Sequence, residues 1–259
     1  MSRPWVPESF ASTGLYVQRG STPVARFQVV GERSSGTNFV KRLMGRNTGL
    51  TPTEVLGWKH GPSQVLAIPR DLLIVISVRH AGDWARSMHA KPWHASPELQ
   101  ALTCSDFLRA PWTSVIDRPR YFDIDGVREL VGQPLQADID PTTGASFSDL
   151  FALRQGKLLQ HLSYLRRHSN VVLLRMERAI DAPEETLDAL LSGLDLPQRI
   201  GPLRPVVKRL GSKFKGAVER PDTPDDLSSD DLAYLRSRVD QETEIALGYS
   251  YDSTAPGPA

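Results

Sequence analysis

Apolar and polar positions fall into short blocks along this chain, and the period of the pattern switches repeatedly between two and nearly four residues. Four apolar segments predict strands, at residues 26–30, 55–59, 72–78 and 170–174. The third and fourth are continuous Leu/Ile/Val runs, the pattern of central parallel strands covered on both faces. Helical patterns lie between them. Residues 37–44 place Phe39, Val40, Leu43 and Met44 on one face, and Leu150, Leu153, Leu158, Leu162 and Leu165 mark a second helix. Pro183 suits a first helical position, with Leu187, Leu190, Leu191 and Leu194 following at helical spacing. A last helix starts at the Ser228–Ser229 cap, carries Leu232, Leu235 and Val239, and stops at Gly248. This alternation predicts a three-layer α/β/α fold with a mostly parallel central sheet.

Two stretches break the rhythm. Residues 91–148 are rich in Pro, Trp, Gly and Asp and show little periodicity, as lids and substrate walls do. Their Trp93, Trp112, Tyr121 and Phe122 suit stacking on a sugar or aromatic ring, or a small satellite core. Residues 197–226 are similarly irregular and carry a basic cluster. Neither stretch has the periodicity of an independent domain, so residues 1–251 read as one domain. The tail at 252–259 (DSTAPGPA) has a disordered composition.

Composition narrows the function classes. The chain has 259 residues, and its 31 basic and 30 acidic side chains leave a net charge of +1. Such a balance exerts no global pull on nucleic acid or an anionic membrane, so an anion site has to be local. A single cysteine, Cys104, excludes an intramolecular disulfide and a Cys-based metal cluster. The first ten residues lack a basic-then-apolar leader pattern, and the apolar run at 72–78 is too short to span a bilayer. A cytoplasmic location without membrane or nucleic-acid partners is expected. The six histidines form no H-E-x-x-H motif, so no metal is expected, and no G-x-S-x-G elbow suggests a hydrolase.

The first predicted strand runs into Gly31-Glu32-Arg33-Ser34-Ser35-Gly36-Thr37-Asn38 before a helix. Strand, small-residue loop and helix form a phosphate cradle. Glycines admit close backbone approach, successive N–H groups converge, and the helix N-terminus favours negative charge. A nucleotidase-type loop needs Lys after its second Gly, whereas Thr37 follows Gly36 here. The available cations are Arg33 and Lys41.

The segment GERSSGTNF resembles the 5′-phosphosulfate loop of sulfotransferases that use 3′-phosphoadenosine 5′-phosphosulfate (PAPS), whose core is Ser-Gly-Thr after a first strand. Ser35, Gly36 and Thr37 match that core, with Ser34 and Asn38 beside it. The family usually has a basic residue directly before the Ser, whereas Arg33 stands one place earlier. The resemblance extends to Arg79 at a strand end and Ser87 eight residues on, the pair that would hold the 3′-phosphate. A bidentate guanidinium and a hydroxyl suit that task. Lys59-His60 resembles the family's Lys and His at the second strand end, although the family separates the two by one residue, so either side chain is a candidate to face the site. Arg175-Met176-Glu177 resembles the family's Arg-Tyr-Glu and reads as structural. Lys215-Gly216 resembles the basic-Gly loop over the 3′-phosphate, and a solvated basic loop explains it equally well.

The resemblance implies a P-loop-NTPase-like topology and sulfuryl transfer from PAPS to a hydroxyl or amine of a small-molecule or carbohydrate acceptor, with no metal. His60 would be the base, and Lys59 or Arg33 would stabilise the leaving oxygen. The alternatives are a P-loop kinase or other nucleotide phosphotransferase, and an inactive nucleotide-binding module on the same fold. Acceptor identity and oligomeric state are not readable from these residues.

Overall fold

A computed structural model describes residues 5–62, 65–122, 124, 126–207 and 213–251. The predicted tail at 252–259 lies outside the described residues. Five strands form one sheet: β1 (Leu15–Gln18), β2 (Arg26–Val30), β3 (Thr51–Pro52), β4 (Leu72–Val78) and β5 (Val171–Arg175). Their spatial order is β1-β5-β4-β2-β3, parallel except for β1, which runs antiparallel to β5. Every residue of β4 is buried, as its unbroken apolar sequence requires of the central strand.

Alternate side chains of β4 face opposite layers. Leu72, Ile74, Ile76 and Val78 pack with Trp84, Met88, Leu150, Leu158 and Leu235. Leu73 and Val75 pack on the other side with Phe27, Val29, Val40, Leu43, Leu187 and Leu190. The helices Ala81–Ala90, Leu150–Leu162 and Ser229–Arg238 therefore cover one face, and Thr37–Asn47 and Pro183–Gly193 the other. Each fully buried Leu or Ile contributes about 1.5–3 kcal/mol, so these two clusters dominate the stability of the fold. Among the described residues no helix is long and apolar enough to cross a membrane.

Three expectations need correction. Residues 55–59 do not form a strand; they turn, with Gly57 at φ 80° and Val55 exposed. The Gln28 side chain supplies the hydrogen bonds a ladder would have made. Its Nε2 donates to the Gly57 carbonyl at 2.8 Å and its Oε1 accepts from the Leu56 amide at 2.8 Å. The edge strand beside β2 is instead Thr51–Pro52, a position where Pro is tolerated. The last helix is broken after Arg238 and resumes over Gln241–Ala246. The helix from Leu150 likewise stops at Leu162, and Leu165 belongs to a separate turn, Tyr164–Arg167.

Topology positions the site. β2 and β4 are parallel neighbours, yet the chain leaves β2 for a helix on one face and β4 for a helix on the other. The two connections diverge, leaving a crevice at the carboxyl ends of the strands, where open α/β sheets bind ligands.

Candidate functional site

At the end of β2 the backbone makes the turn that the glycines foretell. Gly31 has φ 154°, Ser34 φ 64° and Gly36 φ 84°. A Cβ at Gly31 would lie 2.5 Å from the Ser77 carbonyl oxygen, and one at Gly36 would lie 2.6 Å from Met176 Sδ. Gly31 thus excludes a side chain, and at Gly36 a side chain would strain the left-handed backbone and displace Met176. Gly36 is the N-cap of the helix Thr37–Asn47 and provides no capping side chain. The first-turn amides and the positive end of the helix dipole are left facing the crevice. Ser35 is fully buried, with its Oγ donating to the Glu32 carbonyl at 2.7 Å, so it braces the loop. Ser77 Oγ donates to the Ser35 carbonyl at 2.6 Å, tying the loop to β4.

Arg79, the first residue after β4, reaches across and donates from Nη1 to the Ser34 carbonyl at 3.0 Å. Burial lowers its pKa below the usual guanidinium range, yet it stays charged. It forms no ion pair with a carboxylate among the described residues. Its own carbonyl accepts from Arg154 Nη2 at 3.0 Å, and Arg154 in turn is ion-paired with the buried Glu244. Glu177 accepts from the His80 amide at 2.9 Å and from the Tyr249 hydroxyl at 3.0 Å, which fixes the turn beyond Arg79. Ser87 lies half-buried on the helix Ala81–Ala90, one turn beyond Asp83 on the same flank.

Arg33 is directed elsewhere. Its guanidinium is buried and ion-paired with Asp138 at 2.6 Å. Lys157 makes a second, shorter ion pair to the same carboxylate. Trp112 Nε1 and Ser114 Oγ donate to it at 3.0 and 2.7 Å. Burial alone would raise the Asp138 pKa, but Arg33 and then Lys157 hold it well below the carboxylate range. Burial pushes the Lys157 pKa down to about 8 against the pull of Asp138. The loop cation anticipated for the leaving oxygen is thus committed to bolting segment 91–148 against the glycine loop. Glu32, next to it, is buried with its Oε1 unpartnered, and desolvation raises its pKa.

Lys59 and His60 both meet the loop. His60 Nδ1 lies 2.6 Å from the Gly31 carbonyl, which requires a proton on Nδ1 and leaves Nε2 as the basic nitrogen. Burial, followed by the charge of Lys59, lowers its pKa well below 6.5, so the ring is neutral at pH 7. Lys59 Nζ donates to Asn38 Oδ1 at 2.5 Å, on the first turn of the loop helix. Burial lowers its pKa as well. The Lys157 ammonium donates to the His60 carbonyl at 2.8 Å and lies 5.2 Å from the Trp58 ring, and Trp58 packs edge-on to His60 at 5.4 Å.

The exposed Lys215 and Gly216 sit with Arg118, whose Nη2 donates to the Lys215 carbonyl at 2.8 Å. Among residues 91–148, Trp112 is buried core, whereas Trp93, Tyr121 and Phe122 gather around His94. His94 has φ 66° and bonds Asp117 at 2.5 Å.

The fold brings together the loop 31–38, Lys59, His60 and Arg79; it diverts Arg33. Sequence reasoning missed Asp138, Arg154, Lys157, His94 and Asp117. One signal was available: Arg154, Lys157 and His161 fall on the apolar face of the helix Leu150–Leu162, where charge has to be paired. Comparisons with protein-family models, curated proteins and solved structures return no match for this chain.

Proposed function

We propose that this protein is a sulfotransferase that uses PAPS as donor. One observation carries the reading: a glycine cradle and an unpaired arginine meet at the diverging ends of β2 and β4, with Arg79 Nη1 3.0 Å from the Ser34 carbonyl. The residues suit a phosphorylated donor. A side chain is excluded at Gly31 and strained at Gly36, the helix N-terminus is uncapped by its N-cap residue, and Arg79 has charge to spare. Ser34, Gly36, Thr37 and Asn38 would hold the 5′ side, Ser35 would brace it, and Arg79 with Ser87 would hold the 3′-phosphate. Lys215 and Gly216 belong to a separate basic rim.

Bound PAPS supplies the sulfuryl group, whose S–O bond to the 5′-phosphate breaks as an acceptor oxygen or nitrogen bonds to sulfur. His60 takes the acceptor proton on Nε2, because Nδ1 is occupied by its bond to Gly31. The loop amides, Thr37 and Lys59 face the charge that develops on the leaving oxygen. Lys59 replaces Arg33 in this role, since Arg33 is neutralised by Asp138. The catalytic contribution is mainly positioning and electrostatics.

Calorimetric titration with 3′-phosphoadenosine 5′-phosphate (PAP), ADP, and ATP with and without Mg²⁺ tests this reading. Metal-free binding of PAP, at least about tenfold tighter than ADP and lost in Arg79→Ala, supports it, since charge-assisted bonds of this kind contribute about 1.5–3 kcal/mol. Binding of ATP only with Mg²⁺ replaces it with a phosphotransferase. PAP binding without turnover on any acceptor replaces it with an inactive binding module.

A further inference from the structure

Beyond the crevice, an open cleft of about 740 Å³ is lined by Asp117, Arg118, Arg120, Lys213, Lys215, Gly216 and Ala217. That volume suits a small ligand. Four lining side chains are cationic, and Asp117 is the one carboxylate among the described lining residues. Asp117 is already engaged: it bonds His94 at 2.5 Å and lies 3.7 Å from Arg118 Nε. Among the described lining residues the cleft therefore keeps an excess of positive charge.

Arg118 is the organising residue. Its guanidinium lies 4.6 Å from the Trp93 ring centroid and 5.6 Å from that of Phe214, and the two rings contact each other at 5.3 Å, so the three side chains form one cluster. Nη2 is used on the Lys215 carbonyl, whereas Nη1 is buried without a hydrogen-bond partner. A buried guanidinium N–H left unsatisfied costs free energy, and an anionic oxygen in the cleft would satisfy it. Arg120 and Lys213 are exposed at the rim and add charge, with Arg120 lying 5.1 Å from the Tyr121 ring centroid.

The cleft also has a direct line to the candidate base. Asp117 holds His94, His94 packs edge-on to Trp58 at 5.9 Å, and Trp58 packs edge-on to His60 at 5.4 Å. His94 keeps a left-handed backbone, a strained state that its surroundings enforce. The wall of the cleft is thereby in packing contact with the base through Trp58.

We infer that this cleft binds an anionic group, a carboxylate or a phosphate or sulfate ester, carried by the acceptor beside an apolar ring. This rests on the sulfotransferase reading only for the word acceptor; the anion site stands on its own residues. The acceptor class is then an aromatic or cyclic compound that already bears negative charge. Arg118 fixes the anion, the ring lies beside the Trp93–Arg118–Phe214 cluster, and the nucleophile faces the Trp58 side.

The test is titration calorimetry on the full chain at constant ionic strength with phenyl phosphate, phenylacetate, inorganic phosphate and benzyl alcohol, with PAP run in parallel. The two ring anions should bind at least about tenfold more tightly than benzyl alcohol, and phenyl phosphate more tightly than inorganic phosphate. Arg118→Gln/Arg120→Gln should abolish that preference while leaving PAP affinity within about twofold. Arg120→Gln/Lys213→Gln changes exposed side chains only and should weaken the same ligands, which keeps the test open if the Arg118 variant does not fold. Equal affinity for the anions and benzyl alcohol overturns the proposal. So does an equal loss of PAP affinity in the double variant, which would give the cleft to the donor. If PAP fails to bind while Arg118-dependent phenyl phosphate binding persists, the sulfotransferase reading falls and the anion cleft stands.

Discussion

Asp138→Asn tests the link between segment 91–148 and the glycine loop. The carboxylate is 1% exposed and neutralises two buried cations, Arg33 and Lys157, while accepting from Trp112 and Ser114. Its replacement leaves both cations in a medium that cannot solvate them. Lys157 limits the damage. Its pKa is already pushed down to about 8, and loss of the Asp138 field lowers it further, so the lysine sheds its proton near neutral pH. Arg33 cannot do so and remains an uncompensated buried charge, a defect that costs about 3–5 kcal/mol. For a chain of this length, an unfolding entropy of about 2.1 cal/mol/K per residue converts that to a Tm lower by about 6–9 °C. The assay is thermal unfolding by circular dichroism and calorimetry at pH 7, with Lys157→Met and the double variant completing a cycle. Lys157→Met should cost less, because Asp138 keeps Arg33, and the double variant should cost less than the sum of the single ones. A loss under about 1 kcal/mol for Asp138→Asn, or strict additivity, would refute a carboxylate shared by two charges.

Two further outcomes follow from the loop. Gly36→Ala, at φ 84°, should lose about 1–2 kcal/mol from its left-handed backbone. Gly31→Ala, pressed against the Ser77 carbonyl, which cannot swing away, should lose at least as much together with PAP binding; chemical denaturation and titration read both. The His60 pKa is depressed in the folded state, so below pH 6.5 the unfolded chain gains a proton that the folded protein refuses. Stability contributed by this group is complete above 6.5 and declines below it, and the acidic limb of the turnover profile should lie under 6.5. An NMR titration of the His60 ring checks the assignment, and a midpoint at or above 6.5 contradicts it.

The parallel strands were legible because burial on both faces demands an unbroken apolar run, and 72–78 and 170–174 have one; β5 is shifted by a single residue. The glycine loop was legible because close backbone approach and a left-handed turn exclude side chains. Arg79 lies beside that loop because the parallel register of β2 and β4 brings the two strand ends together. The short antiparallel strand Leu15–Gln18 was missed: a half-buried edge strand of four residues has too little pattern to detect. The false strand at 55–59 shows the converse, because Gln28, distant in sequence, satisfied its backbone through a side chain.

Charge pairing escaped sequence reasoning for a physical reason. Whether Arg33 faces a phosphate or a carboxylate depends on Asp138, 105 residues away, and no local pattern encodes that meeting. The same holds for Lys157 and for the His94–Asp117 pair. By itself, the sequence determined the alternation of strands and helices and the glycine-shaped cradle, since both follow from local sterics and periodic burial. Only the tertiary structure decided which cations remain available to a ligand, because electrostatic neutralisation acts through space and depends on which buried groups the fold brings within a few ångströms.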